Sequence, residues 1–456
     1  MKKNLFHLPA LLLTLAAATP AIAQTAYDSA DDDVIFTAGA FEITGTNNEI
    51  GEILDRVRPV EPNSIPRPKF AIRTPDNSFI LSIGGKINPI IGYDLGNDLY
   101  NAPGGGIDFV TGSIPVPAQS GHRSAFFINP LNAYLDFTVV GLAGTDNEVT
   151  GYVKLATNHD TKGMILKRAY VTWRGITAGV TATNFQDGLA AQPATIDPNG
   201  PCGDISGTTY SIFYNSRSYN GFAFGAGIEM PTFYSSNGVY RGKDYRHDFY
   251  GVSVTSEASQ KAPDIPAYIE YAASKQNRVR LSGIFRNFFY RDLISDKTRH
   301  EAGWGVQLSG NFSFYRPLTF NFQGVYGKGL GCYIQDLSGR ALSFTPKDSK
   351  VGEMTANPMM GLVFGASYDV TSKLQFNAVG SYARIWDVEP YATANDADGV
   401  ASADNYRCAI YAGANCFYKI TPYLQVGLEY LYGRHYTWDL GGANDSRIQA
   451  QFSFAF

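Results

Sequence analysis

The chain has 456 residues, a formal net charge of −4 and only 17% charged residues, a balance that argues against a nucleic-acid partner, which usually draws a basic excess. It carries 29 Tyr, 29 Phe, 4 Trp and 47 Gly, yet its mean hydropathy is slightly negative, as expected of strands with one apolar and one polar face. Beyond Gln24 there is no apolar run of the ~18 residues that a membrane helix needs, so any crossing would have to be made by a closed barrel.

The first residues read as a secretory signal peptide spanning residues 1–23. Met1-Lys2-Lys3 supplies a positive start, Leu8 to Ala18 an apolar stretch, and Ala21-Ile22-Ala23 a small-residue cleavage site before Gln24. The competing reading, an anchoring helix, is set aside because the apolar run is too short to span a bilayer. Residues 24–77 are polar, rich in Asp and Pro, and contain one helix-like piece, Asn48 to Val57. They are predicted to form a periplasmic leader without a core of its own.

From residue 78 to residue 456 the pattern is that of strands. Strand one, Phe79 to Asp94, sets Leu81, Ile83, Ile87 and Ile91 on one face and Ser82, Lys86, Asn88 and Asp94 on the other. A long connection, Leu95 to Gly121, leads to strand two at about Ser124 to Val140, and a brief link to strand three, Glu148 to Thr157. Strands four and five, Met164 to Trp173 and Ile176 to Asn184, are separated only by Arg174-Gly175. After the long segment Phe185 to Gly207 come strands six and seven, Thr208 to Asn215 and Phe222 to Met230. The loop Pro231 to Ile265 precedes strands eight and nine, Pro266 to Ala273 and Arg278 to Phe289. Strands ten to thirteen are Gly303 to Phe314, Leu318 to Gly327, Met359 to Tyr368 and Lys373 to Ala383. Strands fourteen to sixteen are Arg407 to Tyr418, Leu424 to Gly433 and Asp445 to Phe456. The last ends Ile448-Gln449-Ala450-Gln451-Phe452-Ser453-Phe454-Ala455-Phe456, with every second position apolar.

Short turns and long loops alternate almost strictly, as they must where turns face the periplasm and loops the outside. The fold class is therefore all-β: a transmembrane antiparallel β-barrel of about 16 strands, a size that leaves an aqueous channel. A propeller or sandwich has no reason to keep that alternation.

The inward face should carry the chemistry. On strand nine Val279, Leu281 and Phe285 share one face, so Arg278, Arg280 and Arg286 share the other. An arginine facing lipid at mid-depth costs ~2–4 kcal/mol, so these must face water or acidic partners. Such a row either passes carboxylates along or stiffens the wall by pairing with acids. The same parity turns Lys86, Lys154, Arg168, Lys373, Arg407 and Arg447 inward, against Asp94, Asp136, Glu229, Glu270 and Glu429. Nine bases against five acids predict a positive lumen that prefers anions.

Lys167-Arg168-Ala169-Tyr170, Asp197-Pro198-Asn199-Gly200-Pro201 with Gly203, Pro263-Asp264-Ile265-Pro266-Ala267, Gly427-Leu428-Glu429-Tyr430 with Gly433-Arg434, and the closing Arg447-Ile448-Gln449 and Phe452-Ser453-Phe454 form a scattered set of segments. Together and in order they resemble the DcaP-like outer-membrane porins. The resemblance implies a trimeric, sixteen-stranded diffusion channel for small anions such as dicarboxylates. Sixteen-stranded porins fold the loop after strand five into the barrel, so Phe185 to Gly207 is expected there, an ordinary surface loop being the alternative. Its Asp187, Asp197 and Asp204 would then oppose the arginine row and set a transverse field. The chain departs from the family in two ways: Thr25 to Asn77 has no heptads, and Cys202 and Cys332 fall in loop motifs.

Cys408 and Cys416 lie eight residues apart on one strand, roughly 26 Å, too far to bond. Cys202 and Cys332 both fall in outward loops of an oxidising compartment, where a bridge and two free thiols are both open readings. No metal or cofactor is expected. The histidines His122, His159, His247, His300 and His435 have no triad partners at a suggestive spacing, and GxSxG and HExxH are absent, so catalysis is not expected. The expectation is a Gram-negative outer-membrane porin set among lipid and lipopolysaccharide, passing small anionic solutes by diffusion. The alternatives are a surface receptor or adhesin and, further off, an outer-membrane hydrolase.

Overall fold

The computed structural model describes residues 34–38, 41–44, 51–54, 70–101, 106–116, 124–157, 163–188, 193–232, 248–249, 252–253, 262–274, 276–315, 317–338, 340, 343–346, 353–387, 406–438 and 441–456. The expected signal peptide and His122, His159 and His247 lie outside the described residues.

Sixteen antiparallel strands close into a barrel. In chain order they are β1 (Phe79–Ile87 and Ile90–Asp94), β2 (Ala125–Asn129 and Ala133–Gly141), β3 (Val149–Thr157), β4 (Met164–Trp173), β5 (Ile176–Ala182) and β6 (Thr208–Asn215). There follow β7 (Phe222–Thr232), β8 (Ile265–Ser274), β9 (Asn277–Asp292), β10 (Lys297–Tyr315) and β11 (Leu318–Lys328). The last five are β12 (Pro358–Asp369), β13 (Leu374–Ile385), β14 (Tyr406–Thr421), β15 (Leu424–Thr437) and β16 (Gly442–Ala455). Each pairs with its sequence neighbour, and β16 returns to β1 through Arg447↔Asp94 to Gln451↔Ile90 and Phe454↔Ile87. The terminal Phe456 completes the seam, exchanging backbone hydrogen bonds with Gly85 at 2.9 and 3.1 Å.

Two prolines interrupt what the sequence presents as single strands. Pro89 and Pro130 have no N–H to donate, and β1 and β2 each break there before resuming in the same sheet. The two-residue turns follow from residues that tolerate positive φ: Arg174-Gly175 at 49° and 83° joins β4 to β5, and Asn220-Gly221 at 49° and 83° joins β6 to β7. Both φ signs match the twist of a tight hairpin. β9 and β10 run further than expected, meeting at a short turn over 293–296, so His300 belongs to a strand.

The faces alternate as the pattern requires. On β9 the outward Leu281 and Phe285 are 49% and 48% exposed, while the inward Ser282 and Arg286 are 1% and 0% exposed. The leader contributes more than expected. Strands Val34–Ala38, Phe41–Thr44 and Ala71–Arg73 pair in succession and reach β1 through Ala71↔Ser82, extending the sheet where β1 runs past the end of β16. Within the helix-like piece residues 51–54 form a helical turn, and its Leu54 packs with Ala71, Ile80 and Val140.

Candidate functional site

Arg278, Arg280 and Arg286 project inward from one face of β9, but they are not an open row. Arg278 is buried and donates to Asp187 Oδ1 at 2.8 and 2.9 Å and to Glu270 of β8. Arg286 is fully buried, paired with Asp264 at 2.9 Å, donates to the Gly329 carbonyl, and lies over the rings of Phe288 and Tyr333. Arg280 differs: its guanidinium lies 3.6 Å from the Tyr268 ring centroid and donates to Ser282 Oγ and the Asn184 carbonyl, and no carboxylate is within ion-pair reach among the described residues.

The segment after β5 runs across the inner wall. Thr183 Oγ1 and the Asn184 N–H donate to Glu229 of β7 at 2.6 and 2.9 Å. Asp187 bridges Arg278 and Ser309 of β10. Further on, the N–H groups of Ile196 and Asp197 donate to Glu429 of β15, which also receives Asn415 and Gln449. The return leg lays Gly203 on Ser381 of β13 at 2.8 Å. A Cβ there would stand 2.4 Å from the Tyr382 carbonyl, and one on Gly361 of β12 would stand 2.3 Å from the Gly203 carbonyl, so the two glycines permit each other's approach.

Two further loops join it. Leu99, Phe109 and Ile114 from the β1–β2 connection and Leu330, Tyr333, Ile334 and Leu337 from the β11–β12 connection pack with Phe185 and Ile205 against Val325, Val363, Val379 and Leu431 of the wall. Buried carboxylates tie these loops together. Asp336 accepts from Thr111 Oγ1, the Gly112 N–H and Tyr406 Oη, and Asp197 accepts from the Phe109 N–H and Tyr411 Oη. Tyr333 Oη reaches both Glu229 and Asp264, at 3.0 and 2.7 Å. Most inward residues of β9 to β15 are thereby covered, with Arg280 and Asn321 left partly exposed.

On the opposite wall several inward side chains stay half-open: Thr150, Lys154, Arg168, Tyr170, Thr172 and Thr177 of β3 to β5 are partly exposed, while Tyr152 and Thr181 are buried. The register there shifts between Lys154↔Arg168 and Leu155↔Leu166, leaving Lys167 as the extra residue of a bulge. A bulge re-aims a side chain, and the charged neighbours of Lys167 are Asp108, Arg168 and Lys154. Lys154 also lies 3.8 Å from the Tyr134 ring centroid, and Arg168 Nη1 donates to Thr208 Oγ1 at 2.9 Å. Lys86 is half-buried on β1, paired in register with Tyr134.

Several expectations are corrected. Arg447 lies inside but is locked to Asp94 at 2.6 Å and to the Ile107 carbonyl, fully buried, so it braces the wall. Lys373 sits exposed in the β12–β13 turn, because β13 begins one residue later. Arg407 is the unpaired residue of a bulge between Tyr406 and Cys408, exposed with its guanidinium over Trp438. With these gone and the ion pairs made, the surplus of four positive charges on the strands does not stand. The loop aspartates do not oppose the arginine row across a gap: Asp187 is in contact with it, Asp197 serves Phe109 and Tyr411, and Asp204 turns toward Gln323.

Burial sets the state of the loop acids. It pushes Asp187 up, but Arg278, Arg280 and Ser309 more than offset it and hold the carboxyl below its ordinary value. It lifts Asp197 well above that value, and Asp204 to about 7 despite the opposing pull of Gln323. Cys202 and Cys332 are free thiols; burial raises both, Cys332 to about 12. Cys202 Sγ faces Ser381 and the Ala409 carbonyl, and a protonated, buried thiol is a poor partner for exchange.

The sequence matches a porin subfamily over residues 132–453. No curated protein sequence matches. Among solved structures, the outer membrane channel DcaP of Acinetobacter baumannii is similar with a TM-score of 0.64 at 16% identity, over 84% of this chain and 99% of that one. An anion-selective porin from Comamonas acidovorans aligns at 0.48 and 11% identity over 83% of this chain and all of that one, and OmpT of Vibrio cholerae at 0.47 and 10% over 83% and 98%.

Proposed function

This chain belongs to the porin subfamily, outer-membrane channels of Gram-negative bacteria rather than enzymes, and on that premise we propose that it passes small, carboxylate-bearing anions by passive diffusion. One observation carries the reading: Lys154, Lys167 and Arg168 gather on the half-open wall of β3 and β4, facing the packed loops. Guanidinium and ammonium groups on a confined wall lower the barrier for anions and raise it for cations. Among the described residues, Asp136, paired in register with Lys154, and Asp108 are the acids beside them. Arg280 adds a guanidinium that is stacked on Tyr268 and not committed to an ion pair.

In this reading the β1–β2, β5–β6 and β11–β12 loops narrow the lumen by covering the β9–β15 half, and Asp187 with Arg278 anchors the middle loop. The solute path runs along the β3–β5 wall. The oligomer proposed is a homotrimer, on the resemblance of its motifs to the DcaP-like porins. The test is a planar-bilayer recording of the purified protein under a salt gradient. The reading requires steady channels opening in groups of three and a reversal potential on the anion side. Absence of conductance would favour the receptor or adhesin reading instead.

A further inference from the structure

At the ends of the barrel that carry the long loops, the outer face holds cations that the channel reading does not use. Arg384 on β13 alternates with Ala383 and Ile385, both buried inward, and Arg434 on β15 alternates with Gly433 and His435, which pack against the β1–β2 loop. Both arginines therefore face outward, one and three residues before their strands end. They flank β14, where Cys408 is the register partner of Arg384 and Ile410 that of Arg434. Arg407, in the bulge before Cys408, is exposed beside them.

Each guanidinium is held by an aromatic ring: Arg384 over Trp386 at 4.9 Å, Arg434 over Tyr436 at 4.7 Å and Arg407 over Trp438 at 5.2 Å. The Nε atoms of Arg384 and Arg434 are buried without a hydrogen-bond partner. Among the described residues no carboxylate lies within ion-pair reach of any of the three; the nearby Asp387 is exposed and pairs with none of them. Long loops mark the extracellular end, so this level is the outer leaflet, and Trp and Tyr belong at its headgroups. An outward guanidinium at headgroup level is placed to meet lipid phosphates, and a planar fork stacked on a ring is the geometry that grips a phosphate.

We propose that Arg384 and Arg434, with Arg407 beside them, seat the phosphate of an anionic glycolipid of the outer leaflet on the outside of β13 to β15. The inference needs only the outer-membrane setting and not the selectivity of the lumen. Charge complementarity selects the occupant: a second copy of the chain would have to bring a carboxylate to this belt, and the outward faces of the strands show apolar and aromatic side chains at it.

Native mass spectrometry of the detergent-purified, full-length barrel tests it. The probes are a bis-phosphorylated lipid A-type glycolipid, the same lipid after phosphatase treatment, and inorganic phosphate. Wild type should retain the phosphorylated lipid, and Arg384→Gln with Arg434→Gln should weaken retention roughly thirtyfold, as the loss of two cations at a phosphate surface would. Reversal potential should not change, which keeps this result separate from the channel reading. Equal retention by wild type and variant overturns the proposal, as does capture of inorganic phosphate as tightly as lipid, or loss of the oligomer instead of lipid. Should the double variant fail to fold, wild type alone decides: equal retention of phosphorylated and dephosphorylated lipid overturns it.

Discussion

Three arginines two or six residues apart on one strand face have three different jobs, and burial and partner distinguish them. Arg286 and Asp264 are both sealed from water, so Arg286→Ala strands a carboxylate and should cost ~3–5 kcal/mol, seen as a lower unfolding midpoint of the barrel in urea. Arg280 has no such partner, and Arg280→Ala should leave that midpoint nearly unchanged while shifting reversal potential toward cations. Equal destabilisation by the two would contradict the division. Buried Asp204 should make conduction through the barrel sensitive to pH. Its folded pKa of about 7 lies above the ordinary 3.8, so the neutral form favours the packed loop fully below that lower value, and the contribution is lost as pH rises through about 7. The same rise adds a negative charge beside the lumen. Anion preference should therefore fall between pH 5 and 8, and Asp204→Asn should hold it at the low-pH value; a parallel fall in the variant would clear Asp204.

At the scale of elements, the β5–β6 loop is seated by glycine meeting glycine. Gly203→Val puts a side chain into the backbone of β12 and β13, an overpacking that costs ~1–3 kcal/mol and is relieved by lifting the return leg. Conductance should change and limited proteolysis should cut within 193–207, while the barrel keeps its resistance to heat and detergent. Unchanged conductance with an uncut loop would contradict the seating. Elements also show where sequence reading works and where it stops. The parity of β9 was legible because Val279, Leu281 and Phe285 alternate with polar partners over an unbroken ladder. It failed at Arg407, where a bulge adds a residue and resets parity without any local signal, and at Lys373, where the strand starts one residue late; it did not reach Lys167, the extra residue of another bulge. The Arg174-Gly175 turn was readable from its spacing; the partners of the in-folded loop were not. Asp187 finds Arg278 and Ser309 at separations of 91 and 122 residues, and nothing near Asp187 in the sequence announces them.

For the whole molecule, strand count, closure and the two-faced wall follow from alternation and from the order of short and long connections. What the composition could not tell was how the interior is divided. Loop carboxylates pair with Arg278 and Arg286 of β9 and gather three connections over one half of the barrel, so in the proposed reading the charge that meets a solute lies on the β3–β4 wall, with Arg280 opposite. The reversal potential of wild type and of Lys154→Glu with Arg168→Glu, recorded under the same salt gradient at pH 6, separates this placement of charge from any other. Wild type should give an anion-side potential and the variant a cation-side one. A cation-side potential in wild type, or the same anion preference in both, would rule it out.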